Sequence, residues 1–184
     1  MKQNLLLRVA DEDDVADIVD LLNTCYRGEA GWTTEAGILT GERITAETVQ
    51  NMLADKLHYF FVLENNGQVD TDTHDVLLGC IVVQLDVASP QQTACVEMTA
   101  VHPSVQQQGV GGEMLKSVEV FAGQHLRQGW MKMHVVESRT ELLAYYERRG
   151  YVPTGDIHEI SVAHYGQPIT QGLKMMELQK RLVG

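Results

Sequence analysis

The run from Val96 to Leu115 constrains this chain more than any other. It reads Val-Glu-Met-Thr-Ala-Val-His-Pro-Ser-Val-Gln-Gln-Gln-Gly-Val-Gly-Gly-Glu-Met-Leu. A strand-like stretch ends at Val101, and Pro103 then stops ladder hydrogen bonding. Glycines follow that let the backbone turn tightly and approach a ligand. A helix begins at once, and its free N–H groups and dipole make a ready anion site. A Walker-type loop needs Gly-Lys-Ser/Thr here, but Gly112 is followed by Glu113-Met114. A dinucleotide fingerprint counted from Gly109 needs a third glycine where Met114 stands. Both of those phosphate loops therefore fail on residues.

The elements around this loop alternate in type. Leu5–Val9 reads as a strand. A helix with an acidic first turn, Asp11 to Asp14, repeats Val15, Ile18, Val19, Leu22 and Cys25/Tyr26 at helical spacing. Arg27–Thr45 is a long loop or broken helix, and Thr45 opens a second helix carrying Val49, Met52 and Leu53. Tyr59–Glu64, Val76–Leu85 and Cys95–Val101 read as a three-strand meander. Asn65-Asn66-Gly67 and the polar residues to Asp75 form a mobile hairpin tip, and Pro90 marks the second turn. Gly111–Leu126 is a helix with Met114, Leu115, Val118 and Phe121/Ala122 inward. Trp130–Val136 is a strand, Thr140–Arg149 a helix closed by Gly150, and Leu173–Leu182 a final strand that alternates Met176, Leu178 and Leu182 against polar positions. This order predicts an α/β domain with one sheet covered by helices.

Composition narrows the function classes. A net charge of −11 argues against nucleic-acid partners, which need Lys and Arg facing phosphates. It suits a cationic acceptor but also plain solubility. No apolar run reaches the roughly 18 residues of a membrane helix, and the apolar patch after Met1 is too short for a signal peptide, so a soluble cytoplasmic protein with no membrane partner is expected. Cys25, Cys80 and Cys95 have neither disulfide nor metal-ligand spacing, and no metal is expected. Cys80 and Cys95 fall in apolar runs and read as core.

Gln106-x-x-Gly109-x-Gly111, with its valine strand and Val-x-Pro turn, resembles the acyl-CoA pyrophosphate signature of the GNAT superfamily of N-acetyltransferases. A second motif, Glu141-Leu-Leu-Ala-Tyr-Tyr-Glu-Arg-Arg-Gly-Tyr151, resembles the later helix of that family, which ends Tyr-Glu-x-x-Gly-aromatic. The resemblance runs from Val76 to Gly155, and the opening Arg8-Val9-Ala10 is similar as well. One departure stands out. Many members begin the later helix with Asn where this chain has Arg139, and Ser138 is the candidate cap in its place. The resemblance implies a single domain over residues 1–184. It implies a mixed, mostly antiparallel central sheet of about seven strands with a splayed central pair, flanked by about four helices. A homodimer is common in such folds.

It also implies a reaction, the direct attack of an amine on a thioester, with acetyl-CoA as cosubstrate. The strand Glu97–Val101 would splay from Met131–Val136 to admit the pantetheine arm, with contacts from Thr99, Ala100 and Val101. The N–H groups of Gln106, Gln107, Gln108, Gly109, Val110, Gly111 and Gly112 would hold the pyrophosphate, with Ser138 and Tyr145 further coenzyme contacts. Tyr146 matches the tyrosine that protonates the departing thiolate. Glu97 or His134 would take the proton of the amine, each with the rival reading of a structural side chain. Tyr26, Arg27, Glu29 and Trp32 are candidates for the acceptor pocket, which would hold a small-molecule or protein amine. The polar insertion His158–Thr170, with Tyr165, is expected near it. The competing readings are a non-catalytic acyl-CoA sensor and transfer to a thiol or hydroxyl.

Overall fold

The computed structural model describes residues 5–29, 31–65, 77–169 and 171–183. The expected hairpin tip and the start of the following strand at Val76 lie outside them. The strands are β1 (Leu5–Val9), β2 (Leu39–Thr40), β3 (His58–Asn65), β4 (Gly79–Asp86), β5 (Thr93–Val101), β6 (Trp130–Val136), β7 (Val152–Glu159), β8 (Gln167–Pro168) and β9 (Lys174–Arg181). The helices are α1 (Val15–Arg27), α2 (Ala46–Ala54), α3 (Val110–Gln124), α4 (Thr140–Glu147) and the single turn α5 (Val162–Tyr165).

Seven strands form one sheet in the order β1-β3-β4-β5-β6-β9-β7, and β2 pairs separately with β8. Among the described residues of the large sheet only β5 and β6 run parallel, and they pair only through Thr93–Cys95 and Trp130–Lys132. Beyond Cys95 the two strands part, which is the splay expected of the central pair.

A bulge in β5 sets which residues face the cleft. Cys80 pairs with Ala100 and Val82 with Glu97, so two steps on β4 oppose three on β5. Met98 takes up the extra residue with φ +49°, in a region costly for a side chain that is not glycine. The slip reverses the alternation. Ala94, Val96 and Val101 join the core beneath α3, while Ala100 joins the core beneath α1 and α2. Cys95 and Glu97 share the second face but lie beyond the end of that core.

The two faces are covered unequally. The layer under α3 reaches across the sheet, from Phe61 on β3 to Met131, Met133 and Val135 on β6 and Leu178 on β9. The layer under α1 and α2 stops at β5. On that side β6, β9 and β7 therefore present polar residues.

Two local readings change. The acidic start of α1 is a 3₁₀ turn, Glu12–Asp14, capped by Asp11, and Asp14 is drawn into a pair with Arg8 (2.7 Å), which also reaches Glu64 (2.9 Å). Strand β9 does not alternate cleanly: Met175, Glu177 and Leu178 are all buried, because β9 lies between β6 and β7.

Candidate active site

The loop after β5 is tied down by one side chain. The Gln106 amide donates to the Val101 carbonyl (2.8 Å), and its carbonyl oxygen accepts the Trp32 N–H (3.0 Å). Gln106 thus latches the loop to the segment after α1. Its backbone N–H is already bound to the Pro103 carbonyl. Gly109 then adopts φ +83° as the N-cap of α3, a left-handed turn that glycine makes without penalty. Among the described residues, the backbone N–H groups of Gln107, Gln108, Gly109, Val110 and Gly111 meet no acceptor, whereas Gly112 and Glu113 return to the Gly109 carbonyl. Unpaired donors in series at the start of a helix form a cradle for an anion.

This cradle borders a cavity lined by Val101, Val105, the glycines, Trp32, Tyr145 and Arg149. Tyr145 packs edge-on to Trp32, with ring centroids 4.8 Å apart. The Arg149 guanidinium lies 3.4 Å from the Tyr145 ring centre and would approach within 3.0 Å of a Cβ added at Gly112. Sequence reading passed over Arg149. Its place in the second motif, four residues after Tyr145, is the signal that a helical turn puts both on one face.

A second cavity opens on the other side, where β5 and β6 diverge. Its wall includes Glu97 and Met98 from β5, His134 from β6, Tyr26 from α1, Glu35, Arg43, Arg139, Tyr165 and Met175. The two cavities share Thr99, Leu142 and Tyr146. Tyr146 is buried in the middle, and burial pushes its phenol up to about 12, helped by Tyr145 and opposed by Thr99. Burial also depresses the affinity of His134 for a proton, against the nearby Glu177 carboxylate, which favours it.

The remaining candidates divide. Tyr26 lines the second cavity and donates to the Thr99 carbonyl (3.0 Å). Trp32 lies on the loop side rather than with Tyr26. Arg27 lines neither of these two cavities. It pairs with Glu35 (2.8 Å) and donates to the carbonyls of Gly41 (2.8 Å) and Tyr165 (2.5 Å), bracing the segment before α2 against the one before β9. The β2–β8 pair joins the same two segments. Glu29 is exposed and outside both cavities, as are Gln107, Gln108 and Ser138. Ala100 is buried in the core, so only its backbone is on offer. The N-cap of α4 is Arg139, not Ser138. The Arg139 side chain reaches the carbonyls of Trp32 (2.6 Å) and Thr34 (3.0 Å), so this departure fixes the loop that divides the cavities.

Burial raises the thiol of Cys25 to about 11 and those of Cys80 and Cys95 further, so none is poised as a thiolate. No helix among the described residues is long and apolar enough to cross a membrane. The expectation of no metal-ligand cluster needs correction. Spacing along the chain shows none, but the sheet brings His134, His158 and Glu177 together.

Residues 56–153 match a family model described as an acetyltransferase (GNAT) domain. No curated protein matches the chain. Among solved structures, a mutant of spermidine N-acetyltransferase SpeG from Vibrio cholerae is 15% identical, with a TM-score of 0.69 over 97% of this chain and 94% of that one. The same enzyme with CoA and spermine gives 0.67 at 15% identity, over 97% and 96%. A structure assigned to a phosphinothricin N-acetyltransferase gives 0.67 at 16% identity, over 98% and 99%. At these identities the likeness is one of fold.

Proposed function

The chain belongs to the GNAT family of acetyltransferases, and we propose that it moves the acetyl group of acetyl-CoA to a primary amine by direct attack in a ternary complex. The observation that carries this reading is the meeting of two unlike cavities at Thr99, Leu142 and Tyr146. One is bordered by unpaired backbone donors suited to a pyrophosphate. The other is lined by acids, tyrosines and a histidine suited to an amine. A thioester threaded between β5 and β6 meets the amine at Tyr146.

The amine nitrogen forms a bond to the thioester carbonyl carbon, and its surplus proton passes to Glu97 or His134. The carbon–sulfur bond then breaks, and the sulfur takes the electron pair. Tyr146, with its phenol raised to about 12, is fully protonated at neutral pH. Complete transfer to a thiolate with the ordinary thiol pKa of about 8.5 runs uphill. The hydroxyl therefore works chiefly by donating a hydrogen bond as charge develops on sulfur, and the proton that balances the thiolate comes ultimately from the amine. Arg149 supplies a positive charge near the pyrophosphate.

The acceptor is a small molecule in this reading, because side chains from several segments wall the second cavity, Tyr26, Glu35, Arg43, Arg139 and Tyr165 among them. Spermidine and phosphinothricin, named for the similar structures, are both small amines and belong in the first panel tested. The assay follows thiol release from acetyl-CoA across amines, with mass spectrometry of the product. Amine-dependent release with one N-acetyl product per thiol is expected. Tight CoA binding without turnover on any amine would favour the sensor reading.

A further inference from the structure

We propose that His134, His158 and Glu177 form a binding site for a divalent transition-metal ion on the face of β6, β9 and β7 that the core under α1 and α2 does not reach. The site rests on its own geometry and stands whichever acceptor the enzyme uses; an ion on His134 Nε2 would leave the amine proton to Glu97 or water. His134 lies directly opposite Glu177 in the β6–β9 register. His158 lies opposite Met175, two residues from Glu177 and so on the same face of β9. The core under α1 and α2 stops short of these strands.

The ligand atoms are already close. The Glu177 Oε2 is 3.6 Å from His134 Nε2 and 3.8 Å from His158 Nε2, and the three ligand atoms all fall within 4.8 Å of one another. A tetrahedral zinc ion with bonds of about 2.0–2.1 Å holds its ligands roughly 3.4 Å apart. Two separations need only a few tenths of an ångström, and rotation of the exposed His158 ring closes the third. The imidazole planes cross at 84° with centroids 5.0 Å apart, so both edges can point at one ion.

The surroundings hold the carboxylate in place. Lys132 Nζ holds Glu177 Oε1 at 2.9 Å. That contact orients the carboxylate and leaves Oε2 directed at the imidazoles, the outer-sphere arrangement common at ligating carboxylates. The His134 imidazole ligates in its neutral form. Its Nδ1 lies 3.9 Å from Cys95 Sγ, so Nε2 is the nitrogen turned toward Glu177. Two imidazoles and one carboxylate suit Zn²⁺, Co²⁺ or Ni²⁺ better than Mg²⁺ or Ca²⁺. They leave a fourth coordination position, and His134 also lines the acceptor cavity.

The test is a competition titration of Zn²⁺ against a chromophoric chelator, on the metal-stripped full chain without a histidine tag. One zinc per chain is expected. His158→Gln, at an exposed position, and His134→Gln should each weaken it at least about tenfold, with circular dichroism showing the fold intact. Co²⁺ in the wild type should give visible absorption that His158→Gln loses. Absence of stoichiometric binding, or a zinc affinity unchanged in both variants, would overturn the site.

Discussion

On one side of Tyr146 the cleft offers backbone N–H groups from a single run, Gln107–Gly111, beside Trp32, Tyr145 and Arg149. On the other it is made of side chains from α1, the loops before α2, β5, β6, α4 and the insertion before β9. The first side offers N–H groups that any residue could supply, provided glycine permits the turn. The second depends on the identity of Glu35, Arg43, Glu97, His134 and Tyr165 and on how distant segments meet. A common coenzyme and a private acceptor require this division. Recognition by backbone tolerates substitution, whereas recognition by side chains changes with each one.

The largest effect is expected where the two sides join. Tyr146→Phe leaves the ring in place and removes the donor to sulfur. Turnover should fall roughly 10²-fold, the usual size of the loss of one donor to developing charge, with CoA affinity unchanged. Equal loss in affinity would move Tyr146 from the chemistry to the coenzyme side. Next is the cradle. A Cβ at Gly111 would meet only ordinary contacts with Val101 and the Tyr145 hydroxyl, at 3.4 and 3.5 Å, so Gly111→Asp acts through its charge. It should weaken CoA at least about tenfold, or roughly 1.4 kcal/mol, with the melting temperature of the free protein little altered. Calorimetric titration that returns an unchanged affinity would break the contrast between the two sides.

The smallest effect belongs to the proton acceptor. The proton affinity of His134 is depressed. As a base it is neutral and competent above its folded pKa, and activity is lost as pH falls through that value. The acidic limb of the rate profile then lies below the ordinary histidine value of about 6.5. His134→Gln should abolish that limb if the imidazole is the base, and Glu97→Gln should shift it if the carboxylate is. Profiles from both variants that keep the wild-type limb would leave the proton to water.

What could be read from the sequence follows the same division. The loop, the tyrosine helix and the order of elements were legible because each is a contiguous run with its own turn chemistry. The splay was expected from family resemblance, yet the bulge at Met98 that aims Glu97 at the cleft had no sequence signal. Strand β7 was missed. It is an edge strand, exposed along nearly its whole length, so nothing selected an alternating pattern. The acceptor wall was half legible. Tyr26 and Tyr165 stood out as aromatics beside flexible loops. Arg27, Glu35 and Arg43 looked alike on the chain, and only the fold separates a brace from a lining residue. The grouping of His134, His158 and Glu177 was hidden for the same reason, since its members come from three strands.

The central claim is that the cradle binds coenzyme A, and equilibrium binding tests it most directly. Thermal unfolding is followed with acetyl-CoA, free CoA, NAD and ATP at matched concentrations. A ligand held by the native state raises the melting temperature by an amount that grows with the logarithm of its concentration over its Kd. Acetyl-CoA and CoA should both raise it in the wild type and much less in Gly111→Asp, while NAD and ATP leave it unchanged. Equal stabilisation by NAD, or a CoA effect undiminished in Gly111→Asp, would contradict the account.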